Sequence, residues 1–220
     1  MNKATAIICA LNEEKNIGRV LKVLLSSSDI GEVIVVDDGS EDRTSEIALK
    51  MRAKVSRLPK NKGKGNAMKV GVERAEFDTI VFIDADLIGL TVEHVSLLLR
   101  PVLENKAMMS IGIRGRKKGL PKLFIKIDPL LAIGGERAMK RFVFKNIPEK
   151  FIQGFAVETA LNYYCKVKKF PISYVELKGL SIIIKEKKWG FFKGFSNRIK
   201  MICQIIKIRF SILINKKDFE

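Results

Sequence analysis

The chain is poor in the residues that build metal centres and covalent staples. Across 220 residues it has one histidine, His94, and three cysteines, Cys9, Cys165 and Cys203, far apart and without paired spacing. That excludes a multi-histidine centre, a cysteine zinc site and a disulfide framework, and the thiols read as reduced, as in a cytosolic protein. Long uncharged stretches are missing too. No run of 18 residues is free of charge, so the sequence contains no candidate transmembrane helix. The amino terminus enters an apolar pattern at Ala4-Thr5-Ala6-Ile7-Ile8-Cys9 without the basic, apolar and cleavage regions of a signal peptide. Acid is scarce in one half only. Residues 1–100 carry 15 basic and 15 acidic side chains, whereas residues 101–220 carry 26 and 9, so the second half holds the whole net charge of +17. Such a half meets something anionic: a phosphorylated substrate, a membrane surface or nucleic acid.

What is present is a hydrophobic fraction of 47%, enough for one core with attachments. Residues 5–10 read as a buried strand, and Asn12 as the N-cap of a helix carrying Ile17, Val20, Leu21, Leu24 and Leu25 on one face, with Glu13 and Glu14 in its first turn. Residues 32–36 read as a second strand ending in Asp37-Asp38-Gly39-Ser40, residues 43–51 as a helix and residues 55–58 as a third strand. A basic loop, Pro59-Lys60-Asn61-Lys62-Gly63-Lys64-Gly65-Asn66, leads into a helix through Ala67, Val70 and Ala75. The fourth strand is the apolar run Val81-Phe82-Ile83, which stops at Asp84-Ala85-Asp86. Strands alternating with helices predict a parallel sheet of right-handed βαβ units. Asn12, Asp37-Asp38 and Asp84-Asp86 then line one crevice at the strand ends, where open α/β sheets bind ligands. Paired acids there call for a cation, and a hard divalent ion bridged to a phosphate is a natural occupant.

The second half is less specific. His94 lies on a helix capped near Thr91 and reads as structural. Residues 108–113 read as a fifth strand leaving into the basic loop Arg114-Gly115-Arg116-Lys117-Lys118-Gly119. A helix is expected from Gly134 to about Phe144, another within residues 151–169 with Ala160, Leu161 and Tyr164 buried, and strands at 170–175 and 180–184. From Trp189 to about Ile214, apolar residues at helical spacing alternate with Arg198, Lys200, Lys207 and Arg209. Such a basic amphipathic helix suits an anionic membrane surface, and the alternative is an ordinary helix packed on the sheet.

Four stretches in register resemble the family 2 glycosyltransferases of glycosyltransferase-A fold, in particular the polyprenyl-phosphate, dolichol-phosphate-mannose-synthase-like branch. They are Ala10-Leu11-Asn12-Glu13-Glu14, Val35-Val36-Asp37-Asp38-Gly39-Ser40, Asn61-Lys62-Gly63-Lys64-Gly65 and Asp84-Ala85-Asp86. The likeness covers about residues 4–115 and continues more weakly through Gly134-Gly135-Glu136-Arg137-Ala138 and Gly154-Phe155-Ala156-Val157-Glu158. It implies an α/β fold with a mostly parallel, helix-flanked sheet. Residues 1–185 would form the catalytic domain, with a nucleotide-sugar half (1–115) and an acceptor half (116–185), and residues 186–220 a basic tail. It implies a nucleotide-sugar pocket of Ala10, Asn12, Glu13, Asp37, Asp38, Lys64, Asp84 and Ala85, with Mg²⁺ or Mn²⁺ held by Asp84 and Asp86 on the diphosphate. Ile88 stands where some relatives carry a polar third ligand, so fewer protein groups would hold the ion. Arg114, Arg116 and Arg137 would bind the acceptor, and Asp86, Arg114 and Glu158 are the catalytic candidates, Glu158 as a general base.

The resulting expectation is a metal-dependent transfer of sugar from a nucleoside diphosphate to an acceptor at the membrane face, plausibly a polyprenyl phosphate, by a cytoplasmic protein peripheral to the inner face of the membrane. The Gly-x-x-x-Glu stretch also resembles the glucosyl-phosphoglycerate synthases, so a soluble retaining transferase on a small phosphorylated acceptor is the alternative. A nucleotidyltransferase would carry a glycine-rich basic loop where this chain has Ala10-Leu11-Asn12-Glu13-Glu14. A nucleic-acid-binding role would leave three acidic strand ends unexplained, and no nucleic-acid partner is expected.

Overall fold

A computed structural model describes residues 3–114, 135–153, 156–182, 211–212 and 214–219. Its strands are β1 (Ala4–Ala10), β2 (Ile30–Asp37), β3 (Lys54–Arg57), β4 (Thr79–Phe82), β5 (Leu87–Ile88), β6 (Met109–Arg114), β7 (Arg137–Lys140), β8 (Ile172–Leu177) and β9 (Ser181–Ile182). Seven form one sheet in the order β3-β2-β1-β4-β7-β6-β8, and β5 pairs with β9 in a small second sheet. The pairs among β3, β2, β1 and β4 are parallel, as is β6 with β8, whereas β7 runs antiparallel to both its neighbours. Strands from both sides of residue 115 thus share one sheet.

The strands are apolar on both faces because helices cover both. Along β1, Ala4, Ala6, Ile8 and Ala10 enter one hydrophobic layer and Ile7 the other; β2 divides Val33 and Val35 from Ile34 and Val36 in the same way. The first layer is closed by α1 (Ile17–Leu25) through Ile17, Val20, Leu21 and Leu24, by α2 (Thr44–Lys50) through Ala48 and by α4 (Val92–Leu103) through Val95, Leu98, Leu99 and Val102. The second is closed by α3 (Lys64–Arg74), α5 (Arg141–Lys145) and α6 (Ala156–Val167) through Ala67, Met68, Val143, Phe144, Val157 and Leu161. The carboxyl-terminal residues join this second layer. Phe219 is buried against Phe151 and Tyr163, with ring centroids 5.2 and 5.1 Å away.

Several local expectations are corrected. Helix α1 starts at Ile17 with Asn16 before it, so Asn12 is no N-cap and Glu13 and Glu14 precede the helix. Asn12 instead adopts a left-handed backbone, φ 55°, a conformation asparagine tolerates better than most. Leu25 is exposed rather than on the buried face. Residues 137–140, expected as helix, form β7, because β4 and β6 each need a partner at that edge and Arg137–Lys140 satisfies both. The helix that follows is only Arg141–Lys145. His94 accords with its structural reading: Thr91 Oγ1 caps its amide, and its Nε2 lies 3.0 Å from the Lys178 carbonyl oxygen. The amphipathic segment from Trp189 lies almost wholly outside the described residues, as do Arg116 and residues 183–184.

Candidate active site

The parallel strands β1, β2 and β4 bring three turns to one edge of the sheet, and those turns are built from one another. The Ala10 carbonyl accepts the Asp38 amide at 2.9 Å. Beyond it the Asn12 amide donates to Ser40 Oγ at 2.9 Å, the Glu13 amide to Thr44 Oγ1 at 2.8 Å, and Asn12 Oδ1 accepts the Glu41 amide at 2.9 Å. Asp37 is fully buried; its carboxylate accepts the Ser40 amide at 2.8 Å and the Ser45 hydroxyl. Asp38, also buried, takes the Lys62 and Gly63 amides on its two oxygens, each at 2.8 Å. The two aspartates expected to face a nucleotide thus also hold the loop frame: Asp37 braces its own turn, and Asp38 pins the Lys62-Gly63 loop. Gly39 is required there. It has φ +81°, and a Cβ would stand 2.8 Å from the Lys60 carbonyl carbon.

The pinned loop delivers Lys64 at the first turn of α3. Its ammonium lies 2.9 Å from Asp84 Oδ1 and 3.6 Å from Glu158 Oε1. Burial pulls the Lys64 ammonium down, but Asp84, Glu158 and the hydrogen bond to Asp84 outweigh it and raise it above the ordinary lysine range. Glu158, in the first turn of α6, is buried, and its Oε2 makes no hydrogen bond. Arg137, fully buried in β7, stands behind it, with Nη2 4.0 Å from Oε2 and Nη1 donating to the Glu158 carbonyl and to Asn162 Oδ1, both at 3.4 Å.

Strand β4 ends at Phe82, yet alternation of burial continues through the turn: Ile83, Ala85 and Leu87 enter the first core layer. Asp84 and Asp86 are left on the opposite side, both partly exposed. The antiparallel register of β4 and β7, carried two residues further, sets Gly135 against Asp84. A Cβ there would lie 2.8 Å from the Asp84 Cγ, and closer still to Oδ2.

The structure therefore gathers Asp38, Lys64, Asp84 and Glu158 around one edge, with Ala10, Asn12, Glu13, Asp37, Ala85 and Asp86 in the adjoining turns. Arg137 is enclosed behind Glu158 rather than displayed at the surface. Arg114 closes β6 by its backbone, but its side chain and all of Arg116 fall outside the described residues. Two contributors escaped the sequence reading. Cys9 lies at the end of β1 close enough to feel Lys64, Asp84 and Asp38, and burial pushes its thiol up to about 12. Strand alternation from Ile7 was the signal for Cys9; Gly135 stood only within the weaker family likeness, and its place beside Asp84 needed the β7 register.

With this geometry in hand, comparisons with known proteins become specific. Residues 5–161 match the family model for glycosyl transferase family 2. The chain belongs to that family. Its members are glycosyltransferases, and this is the enzyme class of the chain. The glucosyl-3-phosphoglycerate synthase of Mycolicibacterium smegmatis is 28% identical over 189 residues, covering 71% of this chain and 62% of that one. The mouse dolichyl-phosphate beta-glucosyltransferase is 47% identical over 62 residues, covering 25% of this chain and 19% of that one. These alignments span less than two thirds of either relative. The crystal structure of glucosyl-3-phosphoglycerate synthase from Mycobacterium tuberculosis in complex with Mn²⁺, uridine diphosphate and phosphoglyceric acid superposes with a TM-score of 0.76, at 26% identity, over 96% of this chain and 78% of that one. The fold is the glycosyltransferase-A type.

The side chains present fit a divalent ion of modest protein ligation. Asp84 and Asp86 offer hard carboxylate oxygens on one side of the turn, and glycine at 135 is what lets the backbone come so close to Asp84. Among the described residues no three acidic, histidine or cysteine side chains converge as a ready metal cluster. An ion here would draw its remaining ligands from phosphate and water, which is the habit of Mg²⁺ in phosphate sites.

Proposed function

We propose that the protein transfers a hexosyl group from a nucleoside diphosphate sugar to a phosphorylated acceptor, with Mg²⁺ or Mn²⁺ held between Asp84, Asp86 and the donor diphosphate. The observation that carries this reading is the meeting of Asp84, Lys64 and Glu158 at the strand edge of a family 2 fold: Asp84 and Lys64 come from the donor half, Glu158 from the other. When bound, the ion supplies neutralisation of the leaving nucleoside diphosphate. The chain's own groups supply the rest. Asp38 fixes the loop from which Lys64 projects, so a second positive charge stands beside the diphosphate position. Glu158 Oε1 faces the same edge and serves either to orient the acceptor or to take its proton; an acceptor that attacks through a phosphate oxygen needs no strong base. Arg114, at the end of β6, is the candidate grip for phosphate, since arginine as a residue type suits paired binding of phosphate oxygens.

A small phosphorylated acceptor, such as the phosphoglyceric acid of the mycobacterial complex, is favoured by a structural likeness that runs over 96% of the chain. A polyprenyl phosphate is the second reading. It is favoured by the 47% identity to the mouse dolichyl-phosphate enzyme and by the +17 charge carried in residues 101–220, which suits an anionic membrane. Among the described residues no helix is long and apolar enough to cross a membrane; in this second reading the basic residues of 101–220 would supply peripheral attachment.

The test is a thermal-shift series with UDP, GDP, dTDP and ADP, each with and without Mn²⁺. A ligand that binds only the folded state raises apparent stability. At least one nucleotide is expected to stabilise the wild type in a metal-dependent manner, and Asp84→Asn and Asp86→Asn are expected to abolish that dependence. No metal-dependent shift with any nucleotide sinks the reading. Transfer of labelled glucose from the donor to 3-phosphoglycerate, against polyprenyl phosphate in anionic vesicles, separates the two acceptors.

A further inference from the structure

Lys64 stands between two carboxylates from distant parts of the fold. Its ammonium holds Asp84 Oδ1 at 2.9 Å and faces Glu158 Oε1 at 3.6 Å. An ammonium and a hard divalent cation seek the same carboxylate oxygens, and in a partly buried site they repel each other strongly at such separations. Asp84 has little freedom to serve both by turning away, because Gly135 packs against its other oxygen. The loop before Lys64 is fixed as well, since Asp38 binds the Lys62 and Gly63 amides. What remains movable is the lysine side chain, a compact charge on a flexible four-carbon stem.

We infer that Lys64 is a gate on the divalent cation: it keeps Asp84 as an ion pair and releases it when a diphosphate arrives to receive the ammonium, so that metal and nucleotide bind as a pair. The inference rests on the metal reading proposed above. A divalent ion arriving alone would drive the Lys64 ammonium off Asp84 and leave it to Glu158, with added positive charge beside it. A diphosphate brings negative charge for both cations at once. The coupling is reciprocal, so Lys64 equally makes nucleotide affinity depend on metal.

The test is a Mn²⁺ titration of the full chain followed by the electron paramagnetic resonance of the free ion, with and without UDP. The wild type is expected to bind Mn²⁺ at least about tenfold more tightly with UDP than without. Lys64→Met is expected to bind Mn²⁺ alone roughly tenfold more tightly than the wild type, as the removal of a close like charge dictates, and to show a correspondingly narrower UDP dependence. Lys64→Arg, which keeps the charge, is expected to resemble the wild type. If K64M binds Mn²⁺ alone no more tightly than the wild type does, the gate is overturned, while Mn²⁺ binding by the wild type with UDP keeps the metal reading intact. Absence of Mn²⁺ binding by the wild type with UDP overturns both. Should K64M not fold, K64M/E158Q, which removes a buried charge of each sign, takes its place in the same titration.

Discussion

Replacing Gly135 by alanine tests the link between the antiparallel strand β7 and the donor site. The added Cβ would stand 2.8 Å from Asp84 Cγ and Oδ1, and closer to Oδ2, where ordinary contact begins at 3.4 Å. The carboxylate must therefore retreat by more than about 0.6 Å to reach ordinary contact. Such a retreat disturbs the 2.9 Å bond to Lys64. Overpacking of this kind costs about 1–3 kcal/mol. Gly135 is not in the left-handed region, so alanine also stiffens the unfolded chain and offsets roughly 0.4–1 kcal/mol of that cost. The net loss of up to about 2.6 kcal/mol corresponds to a melting temperature lower by up to roughly 10 °C for a chain of this size. The larger effect is on function: misplacing a site group by about 1 Å can cost on the order of 100-fold. Thermal unfolding with and without UDP and Mn²⁺ reads both quantities. A G135A protein that melts with the wild type and keeps its full metal-dependent shift would refute the argument that Gly135 sets the position of Asp84.

Three further outcomes are expected. Asp38→Asn turns one of two acceptors facing the Lys62 and Gly63 amides into a donor; urea unfolding should show a loss of about 2–4 kcal/mol, with weaker UDP binding, and an unchanged midpoint contradicts the loop assignment. Phe219→Ala should destabilise by about 3–5 kcal/mol, because the ring is buried between Phe151 and Tyr163; a neutral result would show that the carboxyl-terminal residues do not belong to the core. Cys9 and Cys165 are both pushed up to about 12 by burial from an ordinary 9.0. Between those values the unfolded chain gives up thiol protons that the folded chain keeps, so stability should fall as pH rises above 9. In a C9S/C203S background Cys165, which is fully buried, should not react with iodoacetamide at pH 8 until the protein is unfolded, and rapid native labelling would contradict that burial.

The docking of Phe219 also bears on the basic carboxyl-terminal segment. Removing residues 189–220 takes away Ile212 and Phe219, both in the second core layer, so a truncation meant to test membrane binding would disturb the fold as well. Charge substitutions at Arg198, Lys200, Lys207 and Arg209 leave those anchors in place.

Much of the donor half was legible in the residues themselves. Apolar runs ending in acids at Asp37-Asp38 and Asp84-Asp86, alternating with helical patterns, specify parallel βαβ units, and parallel strands bring their carboxyl ends to one edge whatever the details of packing. The shared edge of Asn12, Asp37-Asp38 and Asp84-Asp86 depends on this rule and was therefore foreseeable, whereas Lys64 entered only through the family resemblance. The helix start at Ile17 was less so, because Asn12 has the chemistry of a cap and also the chemistry of a left-handed turn, and only the hydroxyl of Ser40 and the amide of Glu41 across the loop decide between them. The second half was misread at Arg137–Lys140 for a related reason. A short segment with apolar and basic residues has no decisive period, and its conformation is set by two strands that need hydrogen-bond partners.

The sequence by itself determined the alternation of strands and helices, the charge asymmetry and the acidic strand ends, since these follow from local pattern and composition. Only the tertiary structure decided that Asp38 frames the loop, that Arg137 lies buried behind Glu158, that Gly135 abuts Asp84, and that Lys64 stands between Asp84 and Glu158. Each of these is a contact between residues 20 or more apart, made where loops, strands and helices from distant parts of the chain meet, and local pattern carries no information about such distances.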